Sequence, residues 1–414
     1  MKIAIVGGGI SGLTAAHLLC GDHEITLFEA DDYLGGHTNT VDVSLEGRTW
    51  AVDTGFIVFN ERTYPNFIRL LDRLGVGSRE SVMSFSVSSE RTGLEYCSAT
   101  PDTLFAQRGN LARLSFWRML LEIVRFNRGL RALCGRRGLS LTLEGYLAEE
   151  SYSARFVDEF LVPIGSAIWS ADPKKFLRFP AAAFARFFVN HGILDLVGQP
   201  KWRVVEGGSR QYVEPLARPF RDRVRLSSRV AQVRRAPDRV EVTVQGLPPE
   251  RFDQVVLACH SDQALAMLAD PADEERELLS AVPYQGNDTV LHTDRGLLPK
   301  SPKARASWNC HIPREERGAV SLTYWMNKLQ SLDAPMEFCV TLNNPGAIAP
   351  DRVLRRIVYH HPVYSEAAFA AQKRRDEISG VNRTWYCGAW WGYGFHEDGV
   401  NSALAVCGRF GKGL

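Results

Sequence analysis

A chain of 414 residues exceeds what one hydrophobic core usually supports, so two domains are the starting expectation. Its 49 Lys and Arg against 47 Asp and Glu leave a net charge of +2, which gives no global pull towards nucleic acid, and no nucleic-acid partner is expected. The eight cysteines are scattered without a Cys-x-x-Cys spacing, which excludes a legible zinc site or disulfide framework and fits reduced thiols in a cytoplasmic protein.

The opening "MKIAIVGGGISGLTAAHLLC" passes only superficially for a signal peptide, because three consecutive glycines interrupt it and no small-residue cleavage site follows. Lys2 to Val6 is a β-branched apolar run that predicts a strand, and Leu13 to Leu19 has helical apolar spacing. Between them stands Gly7-x-Gly9-x-x-Gly12, with one glycine for the turn, one for backbone approach to a pyrophosphate and one for close helix–strand packing. "HEITLFEA" predicts a second strand ending at Glu29, seventeen residues past Gly12, where a carboxylate can accept from both hydroxyls of an unphosphorylated ribose. Strand, glycines, helix, strand and acid in this register predict a dinucleotide site. Gly35 and Gly36 then give a second place for backbone amides to reach an extended cofactor, which favours FAD over NAD.

Further along, "SVMSFSVSS" and "GLEYCSA" read as strands, followed by the helical "LARLSFWRMLLEIVRFNRGLRAL". Arginines 113, 118, 125, 128 and 131 punctuate its apolar pattern, which fits either a solvated basic face over a core or a peripheral contact with anionic lipid. No run reaches the ~18 uninterrupted apolar residues of a membrane span. "VRLSSRVAQVRRAPDRVEVTVQG" predicts two strands around a polar turn, and "DQVVLACH" a buried strand. Cys259 and His260 are neighbours on opposite faces of that strand, so they form no thiol–imidazole pair. "NDTVLHT", "AVSLTYWM" and "EFCVTLN" predict an antiparallel sheet. At the end of the chain, "RTWYCGA" predicts a strand, Gly388 a turn and "DGVNSALAVCGRF" a helix, with Asp398 placed as its cap.

Gly7 to Thr40, "AVDTGFIVF" (51–59), "VEGGSRQYVEPL" from Val205, "SSRVAQV" (227–233), "VVLACHSDQAL" (255–265) and the passage from Thr384 to Leu404 resemble the flavin-containing amine oxidoreductases, a family that includes monoamine and polyamine oxidases, phytoene desaturases and protoporphyrinogen oxidase. The pattern is most similar to a subgroup of predicted NAD/FAD-binding proteins found beside or fused to cyclopropane-fatty-acid synthases. The resemblance implies an α/β fold: a Rossmann-like FAD-binding domain of glutathione-reductase type from residues 1–74, 202–260 and 382–414. Residues 75–201 and 261–381 then make an inserted α+β substrate domain with an antiparallel sheet.

The resemblance further implies FAD contacts at Gly7, Gly9, Ser11, Gly12, Glu29, Gly35, Gly36, His37, Thr38, Gly55, Gly388 and Asp398, and at the backbones of Val230 and Val400. Val230 would meet the adenine, Asp398 a ribityl hydroxyl, and the amides around Gly399 and Val400 the flavin's pyrimidine edge. His37 departs from the family, where arginine or lysine commonly follows the glycine pair. Asp53 reads as a backbone anchor rather than a base. Catalytic residues are not legible beyond two candidates: Asn60, which either orients a substrate or holds a turn, and His396, which either relays a proton or is structural. Trp385, Tyr386, Trp390, Trp391 and Tyr393 frame an apolar slot beside the ring or pack in a core. Lys300 and Lys303 are the only lysines considered for a water-bridged contact to flavin N5, and their surroundings read as a surface loop.

The leading expectation is an FAD-dependent oxidoreductase taking hydride from a hydrophobic small molecule, with a fatty-acyl chain or lipid implied by the subgroup. The alternatives are an amine oxidase releasing imine and peroxide, or a flavoprotein associated with a fatty-acid-modifying methyltransferase without turnover of its own.

Overall fold

The computed structural model describes residues 1–134, 141–169, 172–193, 200–314 and 321–414. A parallel sheet draws its strands from distant parts of the chain, in the spatial order Val224–Arg225, Glu24–Phe28, Lys2–Val6, Gln254–Leu257 and Thr384–Tyr386. Both faces are covered, as an apolar run such as Ile3-Ala4-Ile5 requires. The two-residue alternation divides them. Ile3, Ile5, Ile25, Leu27 and Val256 pack with Leu13 of the first helix (Ile10–Leu19) and Ala403 of the last (His396–Gly408). Ala4, Val6, Phe28, Val255 and Leu257 face the other way, into a core shared with Val230, Val240 and Phe252 of a three-stranded antiparallel sheet.

A larger sheet of seven strands runs Val353–Pro362, Tyr284–His292, Cys339–Leu342, Ser321–Trp325, Trp308–Ile312, Phe85–Ser89 and Glu95–Cys97. The expected antiparallel sheet is therefore mixed, because Trp308–Ile312 pairs in parallel with Phe85–Ser89. That pairing joins the two stretches read as inserts into one sheet. The first two residues of "AVSLTYWM" lie outside the described residues. Beside this sheet, helices Leu114–Cys134 and Ala181–His191 enclose an aromatic core that includes Phe116, Phe126, Phe156, Phe176, Phe184 and Phe187, all buried. No described helix is long and apolar enough to cross a membrane.

One buried ionic group ties the parallel sheet to the rest. Arg235 forks onto Glu275 at 2.8 and 2.9 Å, and Tyr386 of the sheet's edge strand donates to the same carboxylate at 2.6 Å. Arg235 and Glu275 side chains are 3% and 2% exposed, and without Glu275 the buried guanidinium keeps only the partly exposed Asp270, 2.9 Å away, while Tyr386 loses its acceptor. We expect Glu275→Ala to cost about 3–5 kcal/mol of unfolding free energy, measured by urea denaturation. An unchanged midpoint would show that the edge strand is held by packing alone.

Candidate functional site

At the first strand–helix turn, a Cβ on Gly12 would stand 1.9 Å from the carbonyl oxygen of Gly7, so helix and strand approach as closely as glycine permits. Gly9 differs: no atom lies within 4 Å of where its Cβ would be. The helix it opens has no side-chain cap and no acid in its first turn, so its leading amides face that open side without a competing carboxylate. The second glycine pair lies against the first. Gly35 donates to Gly8 at 2.8 Å, and Gly36 packs on the Gly9 backbone, with φ of +122° and +57° that a side chain would resist. Glu29 accepts from the amides of Gly8 (2.6 Å) and Asp31 (3.0 Å); burial raises its pKa against the pull of those bonds. Ser228 donates to the Glu29 carbonyl at 2.7 Å, which brings the hairpin starting at Val230 beside this acid.

The last helix arrives at the same place. A Cβ on Gly399 would lie 2.7 Å from Ile10 Cγ2 and 3.0 Å from Ser11 Oγ, so the N-termini of the first and last helices are in contact. The helix begins at His396, earlier than the sequence reading placed it. Gly399 therefore already donates to Phe395 within the helix (3.0 Å), and Val400 lies a turn inside and is fully buried. The expectation for Val400 is corrected accordingly: the unladdered amides belong to His396, Glu397 and Asp398. Asp398 is the third helical residue, not the cap, and its carboxylate turns back to accept from Tyr393 and Phe395, each at 3.0 Å. Burial lifts its pKa to about 6. Glu397 caps a different helix, accepting from Asn66 at 3.1 Å and Phe67 at 2.8 Å. Gly388 donates to Ser402 Oγ at 2.8 Å, fixing the turn into the helix.

His396 lies stacked on Phe56 with ring centroids 3.6 Å apart, and its Nε2 meets Thr38 Oγ1 (3.0 Å) and the Tyr212 hydroxyl (2.9 Å). Burial drives its pKa well below the usual histidine range, so the folded protein holds it neutral between those two hydroxyls. The Thr38 hydroxyl bonds both His396 and Tyr212. Asn60 Oδ1 accepts from the amides of Arg62 and Thr63 and from the Thr63 hydroxyl and so holds the turn, while its Nδ2 is buried without a hydrogen-bond partner. Asp53 accepts from Thr40 (2.6 Å), the Ser209 amide (2.9 Å) and hydroxyl (2.8 Å), and Gln330 (2.9 Å), while burial raises its pKa to about 6. Gly55 packs on the His37 carbonyl, where a Cβ would stand at 2.2 Å.

His37 is a neutral ring, its pKa lowered to about 4 by burial, stacked on Tyr359 with centroids 4.9 Å apart and 5.4 Å from His361. His361 is fixed by Asn287 at 2.8 Å. Tyr359 and His361 lie outside every stretch read from the sequence, and Tyr212 and Asn287 lie inside two of them, "VEGGSRQYVEPL" and "NDTVLHT", without being singled out. Trp385 and Tyr386 belong to the sheet, bonded to Gln254 and Glu275, and leave the slot to Trp390, Trp391 and Tyr393. Lys303 pairs with Asp102 on the exposed surface, 2.9 Å away.

A family model described as flavin containing amine oxidoreductase matches residues 10–331. L-amino-acid oxidases of Bungarus fasciatus and Pseudechis australis are 43% and 39% identical to this chain over 61 and 62 residues, which is 14% and 15% of this chain. Those stretches span only 11% and 12% of the two oxidases. Among solved structures, cyclohexylamine oxidase from Brevibacterium oxydans IH-35A aligns with a TM-score of 0.70 at 18% identity over 99% of both chains. A fatty acid isomerase from P. acnes that produces CLA aligns at 0.68, 17% identity, over 99% of this chain and 98% of that one.

The residues present fit an FAD. Gly9 opens on free space between two glycine turns, and His37 Nε2, Trp391 Nε1 and Tyr364 Oη are buried polar atoms without a hydrogen-bond partner.

Two outcomes check this geometry. Gly399→Val should push the two helix N-termini apart, costing about 1–3 kcal/mol and lowering the flavin content read from absorbance of the purified protein. His396, depressed in the folded state, binds fewer protons there than in the unfolded chain below pH ~6.5, so its contribution is present above that pH and lost below it. The wild type should lose about 1.4 kcal/mol per pH unit relative to His396→Gln as pH falls below about 6.5, followed by denaturation at a series of pH values.

Proposed function

The chain belongs to the flavin containing amine oxidoreductases and binds FAD, and we propose that it is a flavin amine oxidase-type enzyme oxidising a largely apolar amine. The observation that supports this reading is the contact of the two helix N-termini at Gly399, which brings the glycine turns, Glu29 and the C-terminal loop together where one extended ligand would lie. We infer likewise that the parallel sheet is the core of a Rossmann-like half of glutathione-reductase type, assembled from residues 1–74, 202–260 and 382–414.

When bound, FAD supplies a two-electron acceptor for a C–H bond. The chain's own residues do the rest. Glu29 would accept from the ribose hydroxyls, and the leading amides of helix Ile10–Leu19 would meet the diphosphate. His37 brings no positive charge to it at neutral pH, so that neutralisation would rest on main-chain dipoles. Phe56, clamped on His396, and the Trp390–Trp391 pair would wall off water.

Asp53 is held by backbone and side-chain donors and Asp398 by backbone amides, so both are committed to positioning the chain. An amine entering a desolvated aromatic pocket with no free carboxylate is favoured in its neutral form, and its lone pair then needs no protein base. A fatty-acyl or lipid substrate is the second reading, favoured by the same aromatic lining and by the fold shared with a fatty acid isomerase.

The test is anaerobic flavin reduction with alkyl and cycloalkyl amines, fatty acids and phospholipids. Bleaching by amines, with a rate that rises with pH as the free base accumulates, is expected. Bleaching by fatty acids alone would replace the amine reading with the second one, and a flavin reduced by none of them would favour a non-turnover role.

A further inference from the structure

Helix Leu114–Cys134 turns apolar side chains in two directions. Its inner face buries Phe116, Met119, Phe126, Leu130 and Leu133. Outward, Leu114, Trp117, Leu121 and Val124 are 85, 42, 69 and 38% exposed, and the spacing of three, seven and ten residues puts them on one stripe. Leu111, just before the helix, is also exposed. Leaving such residues in water is unfavourable, and a contiguous apolar stripe of this kind marks an interaction surface.

The charge around the stripe identifies the occupant. Arg113 precedes it, Arg118 and Arg125 flank it, and Arg128 and Arg131 continue the same face towards the helix C-terminus, all exposed. The helix contains one acid, Glu122, which is buried and accepts from Arg118 at 3.2 Å and from the Ser153 amide at 3.2 Å. The helix itself thus presents leucine and tryptophan beside arginine with no exposed carboxylate of its own, a nearby exposed acid being Glu150, whose carbonyl accepts from Arg125 at 3.0 Å. That combination matches the acyl–headgroup boundary of an anionic bilayer, where apolar side chains enter and guanidinium groups meet phosphate.

We propose that this face docks the protein on anionic lipid membranes, with the helix lying along the surface. Docking is independent of which substrate is oxidised, and its readout is binding rather than activity. It also gives the outward apolar residues a reason that a solvated helix lacks.

The experiment is co-sedimentation of the FAD-loaded full chain with phosphatidylglycerol–phosphatidylcholine vesicles and with pure phosphatidylcholine vesicles. Binding to the anionic vesicles that weakens with added salt is expected. Leu114→Ser and Leu121→Ser should each reduce the partition by about tenfold. Arg128→Glu with Arg131→Glu should abolish the preference for phosphatidylglycerol. Unchanged flavin absorbance and melting temperature establish that the variants remain folded; should a leucine variant fail to fold, the arginine pair carries the comparison.

Absence of wild-type binding to anionic vesicles would overturn the proposal, as would leucine variants that bind like wild type. So would a wild-type dimer in light scattering that Leu121→Ser converts to monomer, because the stripe would then be covered by a second copy.

Discussion

The structure depends on the approach of two helix N-termini, made possible by Gly399 lying on Ile10 and Ser11. Helix N-termini carry partial positive charge and unladdered amides, so bringing two together is unfavourable unless anions or acceptors answer them. The acids are divided unequally. Helix His396–Gly408 has Glu397 and Asp398 in its first turn, and helix Ile10–Leu19 has no acid there. The C-terminal helix therefore carries its own compensation, while the N-terminal one leaves its amides for an external anion. That asymmetry gives the junction a polarity, with an end open to an anion at Gly9 and a self-compensated end at Asp398.

A second constraint is that the fixed charges around this junction are already occupied. Asp53 joins the Thr40 strand, the loop at Ser209 and Gln330 through four donors, and burial still lifts its pKa to about 6. Glu397 holds the start of helix Pro65–Leu74, and Asp398 holds the loop at Tyr393 and Phe395. The histidines are neutral for the same reason, with desolvation outweighing their hydrogen bonds. What remains is a site shaped by backbone dipoles and aromatic faces, suited to hydride chemistry, which needs orientation and dryness more than a mobile proton.

Legibility in the sequence followed locality. Lys2–Val6, Gly7, Gly9, Gly12 and Glu29 were readable because each satisfies a backbone requirement within one strand–turn–helix–strand unit. His396 and Thr38 meet across 358 positions, and Asp53 and Gln330 across 277, distances at which no spacing rule operates. Asp398 was placed near its helix start, but its carboxylate turns back into the 393–395 loop, a direction set by the tertiary approach of the two helices. Asn60 is an even choice between turn and substrate because its carboxamide suits both: three donors converge on its oxygen in the turn, and its nitrogen is left buried without a partner. The parallel pairing of Phe85–Ser89 with Trp308–Ile312 was hidden likewise, since strand direction is a property of topology and not of period.

The helical half of the molecule is organised on a different principle from the cofactor half. Phe126 touches Phe184, Phe184 stacks on Phe188 at 4.0 Å, and Phe187 stacks on Phe395 at 5.2 Å, next to the loop that Asp398 caps. The same helix that supplies Phe126 carries Leu114 and Leu121 on its outer face. Apolar contact is thereby continuous from the outer surface to the C-terminal loop. Both faces of that helix are therefore apolar, the inner one buried in the aromatic core and the outer one left to solvent, so the packing of this half reaches the surface without a polar layer between.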